Sequence, residues 1–183
     1  IRAFLRASVP GICNVQDNII MAYIYRHALK HQIKYFLSGA NFSLESILQR
    51  GSGVNAADGY HIKAIHNLFG REQINELPLV SLFSIYVKYK YLNNIIRIRP
   101  LDLIDYKKDL AISELHSLCG FNYYGGKHYE NILTKFAQAC YLPQKFNIDK
   151  RTSHLSSLII SGQMTREDAL RELQKPLYES VTA

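Results

Sequence analysis

Ile33-Lys34-Tyr35-Phe36-Leu37-Ser38-Gly39 is the stretch on which the fold turns. It is short, largely apolar and β-prone, and it closes on a Ser-Gly pair, the pattern of a buried strand. Upstream, 14–32 reads as a helix: Asn14 stands at a capping position, Asp17 in the first turn, and Ile20, Tyr23, Ile24 and Ala28 fall on one face. Downstream, Ser43 is placed to cap a short helix reaching Gln49, and Gly51 to Gly59 reads as loop. Asp58 then opens a helix that carries Ile62, Ile65, Leu68 and Phe69 and stops at Gly70. Leu79 to Tyr91 is a mostly apolar helix, and Asn94 to Arg99 is a second strand closed by Pro100.

The rest of the chain has helical punctuation only. Asp105 to Cys119 forms a helix with Leu110, Ala111, Leu115 and Leu118 inward and Gly120 just past its end. Ile132, Phe136 and Cys140 mark another face, which Pro143 is expected to end. Thr152 or Ser153 can cap the next helix, and Thr165 with Asp168 resembles a capping box ahead of Ala169, Leu170 and Leu173. The expected fold class is therefore α/β with parallel-sheet character over 1–110, followed by an all-helical region over 111–183. Two strands are too few for a stable sheet, so further strands are expected upstream of Ile1 or in a partner chain. The opening residue is Ile and the first segment is already apolar, which reads as a fragment whose N-terminal part is missing.

Composition excludes several classes. Of 183 residues, 48% are apolar and 11% aromatic, enough to build a core and to rule out wholesale disorder. The longest apolar run, Leu77 to Tyr91, is interrupted by Pro78, Ser81, Ser84 and Lys88, so no membrane insertion is expected. No cleavable leader is evident at Ile1 to Arg6. Cys13, Cys119 and Cys140 are odd in number and widely spaced, which suits buried thiols in a reducing cytoplasm better than a disulfide framework or zinc site. The net charge of +7 fits nucleotides, phosphorylated sugars or nucleic acid. The basic residues are spread, with no run that would mark a nucleic-acid-binding tail, so no nucleic-acid partner is expected.

Four constellations carry chemistry. Ser38-Gly39-Ala40-Asn41 followed by Glu45 lies at a strand end, where small residues admit a ligand and a carboxylate can meet Mg²⁺; it also reads as an ordinary turn capped by Ser43. Arg99, in Ile98-Arg99-Pro100-Leu101, can grip a phosphate or simply be a solvated residue before a strand stop. Tyr123-Tyr124-Gly125-Gly126-Lys127-His128-Tyr129-Glu130 sets a cation, an imidazole and a carboxylate after two glycines and before a helix. Asp149-Lys150-Arg151 precedes another helix and can hold a phosphate, or be a charged inter-helix loop. His27 and His31 share a helix face without a third ligand, so no metal ligands are assigned.

The Tyr123–Glu130 block is followed by Thr134-Lys135-Phe136, Leu142-Pro143-Gln144-Lys145-Phe146, Ile148-Asp149-Lys150-Arg151, His154-Leu155-Ser156-Ser157-Leu158-Ile159 and Ser161-Gly162-Gln163-Met164-Thr165-Arg166-Glu167. Together they resemble the C-terminal half of the N-acetyl sugar amidotransferases, enzymes of lipopolysaccharide and O-antigen biosynthesis in the PP-loop ATP pyrophosphatase superfamily. The resemblance implies that 1–110 is the C-terminal portion of an adenine-nucleotide-α-hydrolase-like (PP-loop) parallel-sheet domain. It implies ATP and Mg²⁺ as cofactors, a nucleotide-linked N-acetyl sugar as substrate and a glutaminase subunit as ammonia source. A cytoplasmic location and a homo-oligomer are further expectations. Gly39, Asn41, Glu45 and Arg99 go to the nucleotide side, and Lys127, His128, Lys150, Arg151 and His154 to the sugar-nucleotide or ammonia-facing side. The Ser-Gly-Gly-x-Asp-Ser phosphate loop of that superfamily does not occur in these residues, nor does the family's cysteine cluster. Two other readings stand beside this one: a PP-loop enzyme that modifies tRNA, and a non-catalytic helical interaction domain.

Overall fold

The computed structural model describes residues 1–47 and 55–177. The expected helix end at Gln49 and the loop glycines Gly51 and Gly53 lie outside them. In chain order the elements are α1 (Arg2–Ala7), α2 (Asn14–Lys30), β1 (Tyr35–Leu37), α3 (Phe42–Glu45), α4 (Gly59–Phe69), a π-helical segment (Ser84–Leu92) and β2 (Ile96–Ile98). A 3₁₀ turn (Pro100–Asp102) follows, then α5 (Lys108–Cys119), α6 (Ile132–Phe136), a second π-helical segment (Ala137–Tyr141), α7 (Leu142–Phe146), α8 (Arg151–Ile160) and α9 (Arg166–Gln174). The chain is mixed α/β and mostly helical, and by contact it divides into two units. One comprises Ile1–Ser38 and Gly51–Ile98, the other Gly39–Arg50 and Arg99–Ala183.

The first unit is organised by α2, whose buried side is Val15, Asn18, Ala22, Tyr25 and Ala28. The expected face of Ile20, Tyr23 and Ile24 is exposed instead. Apolar residues surround much of this helix, so periodicity alone offers more than one stripe, and packing selects the one that holds Asn18. Asn18 is fully buried: its Nδ2 donates to the carbonyls of Ala56 (2.7 Å) and Val80 (3.0 Å), and its Oδ1 accepts from Val80 N–H (3.0 Å). Val80 O also accepts from Gly59 N–H at 3.0 Å. These bonds commit the Val80 backbone, which is why the helix expected from Leu79 begins later. Its π-helical part places Tyr89 flat against Tyr25, with centroids 4.4 Å apart.

β1 and β2 pair in parallel, with Tyr35 opposite Ile96, Phe36 opposite Arg97 and Leu37 opposite Ile98. The two expected strands and their parallel pairing are thus present. Phe36 turns inward, edge-on to Tyr25 at 5.7 Å. The other face carries Tyr35 and Leu37, 62% and 72% exposed, so β1 is not the buried strand expected from its apolar run. Within the unit, α2 covers only one side of a pair three residues long. On α4, Asp58 caps as expected, accepting from His61 N–H at 3.0 Å, and Ile62 and Ile65 are buried while Leu68 and Phe69 are exposed. The N-cap of α2 is Cys13, whose side chain makes no capping bond, rather than Asn14.

The second unit is helical, as expected for this part of the chain. Asn41, not Ser43, caps α3: its Oδ1 accepts from Leu44 N–H at 3.0 Å. α3 packs on α8, where buried Ser157 accepts from Ile47 N–H (3.1 Å) and donates to Ser153 O (2.9 Å). Leu155, Leu158 and Ala169 form the core there, with Leu44, Met164 and Leu173 against it. Thr165 caps α9 as expected, accepting from Asp168 N–H at 3.1 Å, and its hydroxyl donates to Asp168 Oδ2 at 2.6 Å. Thr152 and Ser153 lie inside α8, whose first N–H, on Arg151, is taken by the Asp149 carboxylate at 2.8 Å. Gly120, at φ 69°, ends α5 as expected, but α5 buries no residue and Leu110 and Leu118 are exposed.

Pro143 does not end the helix that starts at Ile132. A π-helical turn over Ala137–Tyr141 carries the chain into α7, with Leu142 N–H bonding Ala137 O, and Asn147 at φ 53° closes it. Widening the turn redistributes the carbonyls that a proline cannot satisfy. The buried positions become Ala137, Ala139 and Leu142 in place of Ile132, Phe136 and Cys140. None of the three cysteines is in a disulfide; Cys119 is exposed and Cys13 and Cys140 are half-buried, so the expectation of buried thiols fails most clearly at Cys119.

Replacing Asn18 with Leu should destabilise the protein by roughly 2 kcal/mol or more, because the peptide groups it satisfies are left buried and unpaired. Urea unfolding checks this, and an unchanged midpoint would show that water replaces the side chain.

Candidate functional site

The second unit carries an open cleft of about 590 Å³, a volume within the range of small-molecule sites. Its walls include the entrance to α3, one side of α5, the 121–129 turn and the beginning of α8. Of the residues singled out from sequence, Gly39, Asn41, Glu45, Lys127, His128, Arg151 and His154 line it; Arg99 and Lys150 do not. Ala111 and Leu115, expected in a core, line this cavity.

The glycine pair builds the turn in two different ways. Gly125 sits at φ 82°, which suits a residue without Cβ. Gly126 is needed for space, since a Cβ there would lie 2.5 Å from the Tyr129 ring. His128 also takes a left-handed conformation, φ 64°, in a non-glycine residue. The turn delivers Lys127 Nζ to Glu45 Oε1 at 3.2 Å and to Leu44 O at 3.2 Å. Two residues assigned from sequence to opposite ends of a reaction are therefore direct partners. Glu130 steadies the turn through the Tyr124 hydroxyl and lies 3.6 Å from His128 Nδ1.

His154 lies at the centre of the charge. Burial is the main cause that pushes its pKa down to about 3, and Lys127, Lys150, His128 and Lys108 reinforce the shift. The imidazole is neutral at ordinary pH, able to accept or donate a hydrogen bond but far from the pKa that suits a proton shuttle. The lining sets Lys108, Lys127 and Arg151 against Glu45 and Glu172, a small positive excess that suits a ligand with negative charge.

Arg151 has a different task from the one its position in Asp149-Lys150-Arg151 suggests. Its Nε and Nη2 engage the Asp149 carboxylate at 3.1 Å and 2.8 Å. Its remaining donors reach the carbonyls of Glu172 (3.0 Å), Lys175 (2.9 Å) and Leu173 (3.2 Å). Every N–H of the guanidinium is thus used to cap the end of α9 against the start of α8. Arg99 is likewise occupied, with Nε 2.8 Å from Asp102 Oδ2 and 3.3 Å from Ala40 O, while Asp102 accepts from Phe42 N–H at 2.7 Å. It pins the strand-end segment rather than facing the cavity. Lys150 is the N-cap residue of α8 and acts on the cavity through its field at His154.

The side chains expected to meet Mg²⁺ have protein partners in this structure. Glu45, 37% exposed at its side chain, is held by an ammonium, and the Asn41 amide is used by Leu44 N–H and Gly39 O. Mg²⁺ favours carboxylates free to take it up beside phosphate oxygens. Among the described residues no group of three or more His, Cys, Asp or Glu could hold a metal ion. His27 and His31 are neighbours, with rings 4.3 Å apart.

Sequence reasoning missed the aromatic side of the cavity: Tyr106, Phe121, Tyr123, Tyr124 and Tyr129, with Lys108 lying 4.6 Å from the Tyr123 ring centre. The adjacent tyrosines in the glycine block were the available signal. Gln163 was quoted only as part of a motif, yet it fastens the loop before α5, donating to Tyr106 O and accepting from Lys108 N–H, both at 3.0 Å.

With that geometry in view, residues 130–183 match the family model described as LPS biosynthesis protein WbpG-like, C-terminal domain. This agrees with the resemblance drawn from the sequence, and it associates the α6–α9 region with lipopolysaccharide biosynthesis. No curated protein and no solved structure matched the chain. Among the described residues no helix is long and apolar enough to cross a membrane.

Two outcomes follow from the site. The folded pKa of His154, about 3, lies below its ordinary 6.5, so the folded state binds fewer protons and loses stability as pH falls from 6.5 toward 3. Between pH 7 and 5 the wild type should lose stability with a slope of at most about 1.4 kcal/mol per pH unit more than His154→Gln, measured by urea unfolding; parallel pH profiles would contradict this. Arg151→Lys should cost roughly 2 kcal/mol or more, since an ammonium cannot reproduce the planar fork, and thermal melting would detect it.

Proposed function

We propose that this chain is part of an ATP-dependent amidotransferase of lipopolysaccharide or O-antigen biosynthesis, acting on a nucleotide-linked N-acetyl sugar. The observation that carries this reading is the cation-rich cavity around neutral His154, built partly from the segment that matches the WbpG-like domain. In the proposed reaction the acetamido oxygen attacks the α-phosphorus of ATP and pyrophosphate leaves. Ammonia then adds at the amide carbon and AMP departs with the former amide oxygen, leaving an acetamidino group. ATP supplies the activation that an amide lacks, because its oxygen is otherwise a poor leaving group.

In this reading 1–110 belongs to a PP-loop nucleotide-binding domain and 111–183 is its helical companion. The phosphate loop would come from sequence outside these 183 residues, and a glutaminase subunit would supply ammonia. Lys127 balances the negative charge of the sugar nucleotide, and His154 and His128 offer hydrogen bonds to it. Arg151 and Arg99 maintain the walls. Neither tRNA work nor a purely structural role accounts as directly for a buried imidazole among four cationic or basic neighbours.

The test uses the full-length protein with ATP, Mg²⁺, ¹⁵N-ammonium and a nucleotide-linked N-acetyl sugar, with mass spectrometry of the product. Incorporation of one ¹⁵N, with release of AMP and pyrophosphate, is the expected result; no label in any sugar nucleotide tried would end the proposal. Lys127→Ala should raise KM for the sugar nucleotide roughly tenfold and leave KM for ATP nearly unchanged, as loss of one charge-assisted contact implies.

A further inference from the structure

The aromatic wall of the cavity points to how a ligand is oriented there, a question the reaction class leaves open. Tyr123 and Tyr124 stand side by side with ring centres 5.3 Å apart and planes tilted by 33°. Phe121 meets Tyr124 edge-on at 6.0 Å, and Glu130 holds the Tyr124 hydroxyl. The rings pack on one another, yet Tyr123 and Tyr124 remain 38% and 42% exposed while lining the cavity. Half-exposed aromatic rings form a surface on which a flat ring can stack.

Cations adjoin this panel. Lys108 Nζ lies 4.6 Å from the Tyr123 ring centre, and Lys127 enters from the same turn that carries the tyrosines. Glu45 holds Lys127 at 3.2 Å, but both side chains are partly wet, so the pair is weak and a more highly charged anion can replace the carboxylate. A ligand that combines a flat ring with closely attached negative charge satisfies both surfaces at once. An isolated phosphate would leave the rings uncovered, and a neutral ring would leave the ammonium groups without an anion.

We propose that the Tyr123–Tyr124 panel receives the base of a nucleoside diphosphate while Lys108 and Lys127 take its phosphates, Lys127 exchanging Glu45 for the ligand. This rests on the reading of the cavity as a sugar-nucleotide site and adds which end of the substrate lies where. The tyrosines set affinity for the nucleotide end; they take no part in bond making.

Calorimetric titration of the full-length protein with uridine diphosphate, pyrophosphate and uridine tests the arrangement. Uridine diphosphate should bind roughly tenfold or more tighter than either of its parts, a factor within the range of one stacked base. Tyr123→Ala with Tyr124→Ala should reduce uridine diphosphate affinity to the pyrophosphate level without changing pyrophosphate affinity. The matching Tyr→Phe pair, which keeps both rings, should retain tight binding and guards against a folding defect. Lys127→Ala should weaken both anions. Equal affinity for uridine diphosphate and pyrophosphate, an equal loss for both in the alanine pair, or no millimolar binding of any probe would overturn the proposal. Binding as expected without ¹⁵N transfer by the full-length protein would remove the amidotransferase reading and leave the nucleotide site standing.

Discussion

The guanidinium of Arg151 joins the two ends of the helical hairpin that makes up the core of the second unit. It donates to the carboxylate of Asp149, just before α8, and to three carbonyls from the last turn of α9 and the residue beyond it. Those carbonyls are among the four that any helix leaves without an internal partner. A lysine in this place could not serve all of them, because only the planar fork offers five donors in fixed directions. With α9 held in this way, Ala169 and Leu173 remain on Leu155 and Leu158, and α8 presents His154 to the cavity rather than to solvent.

That placement explains the electrostatics. His154 is buried by the same packing, and burial is the larger reason why it stays unprotonated. The surrounding ammonium groups reinforce the effect, yet they reach the ring from separate segments: Lys108 from α5, Lys127 from the glycine turn and Lys150 from the cap of α8. No single stretch of sequence contains this positive field. It arises when α5, the turn and α8 converge, which is why basic residues spread along the sequence do not announce it.

The elements legible in the sequence were those whose cause is local. Asp58, Thr165 and Gly120 do what their chemistry at a helix end predicts, and the parallel pair of Tyr35–Leu37 and Ile96–Ile98 follows from two short β-prone runs. Errors came where a local pattern allowed several outcomes and tertiary contacts chose among them. α2 is apolar on more than one side, and the hydrogen bonds of Asn18 to Val80 and Ala56 decide which side faces in. Pro143 signals a stop, but a π-helical turn absorbs it. In the cavity, seven of the residues singled out from sequence line the wall, while Tyr123, Tyr124 and Tyr129 stand in the quoted block without a role, because a ring shows its function only when its neighbours are placed.

The contrast between Lys127 and Arg151 separates binding from scaffolding more sharply than the motifs do. Both are basic residues of the matched or adjoining blocks, and both pair with a carboxylate. Arg151 spends every donor on protein groups, so turning it toward a ligand would unpair a carboxylate and three carbonyls together. Lys127 holds one carboxylate and one carbonyl at 3.2 Å with a compact charge on a flexible stem, and exchanging either partner for a phosphate oxygen leaves only the wet Glu45 carboxylate to be solvated again. An ion pair that is cheap to open is the form a charged cavity needs if it is to balance its ammonium when empty and still admit an anion. The glycine turn that carries Lys127, with Gly125 and His128 both left-handed, aims that ammonium at Leu44 and Glu45 and so keeps it beside the aromatic panel.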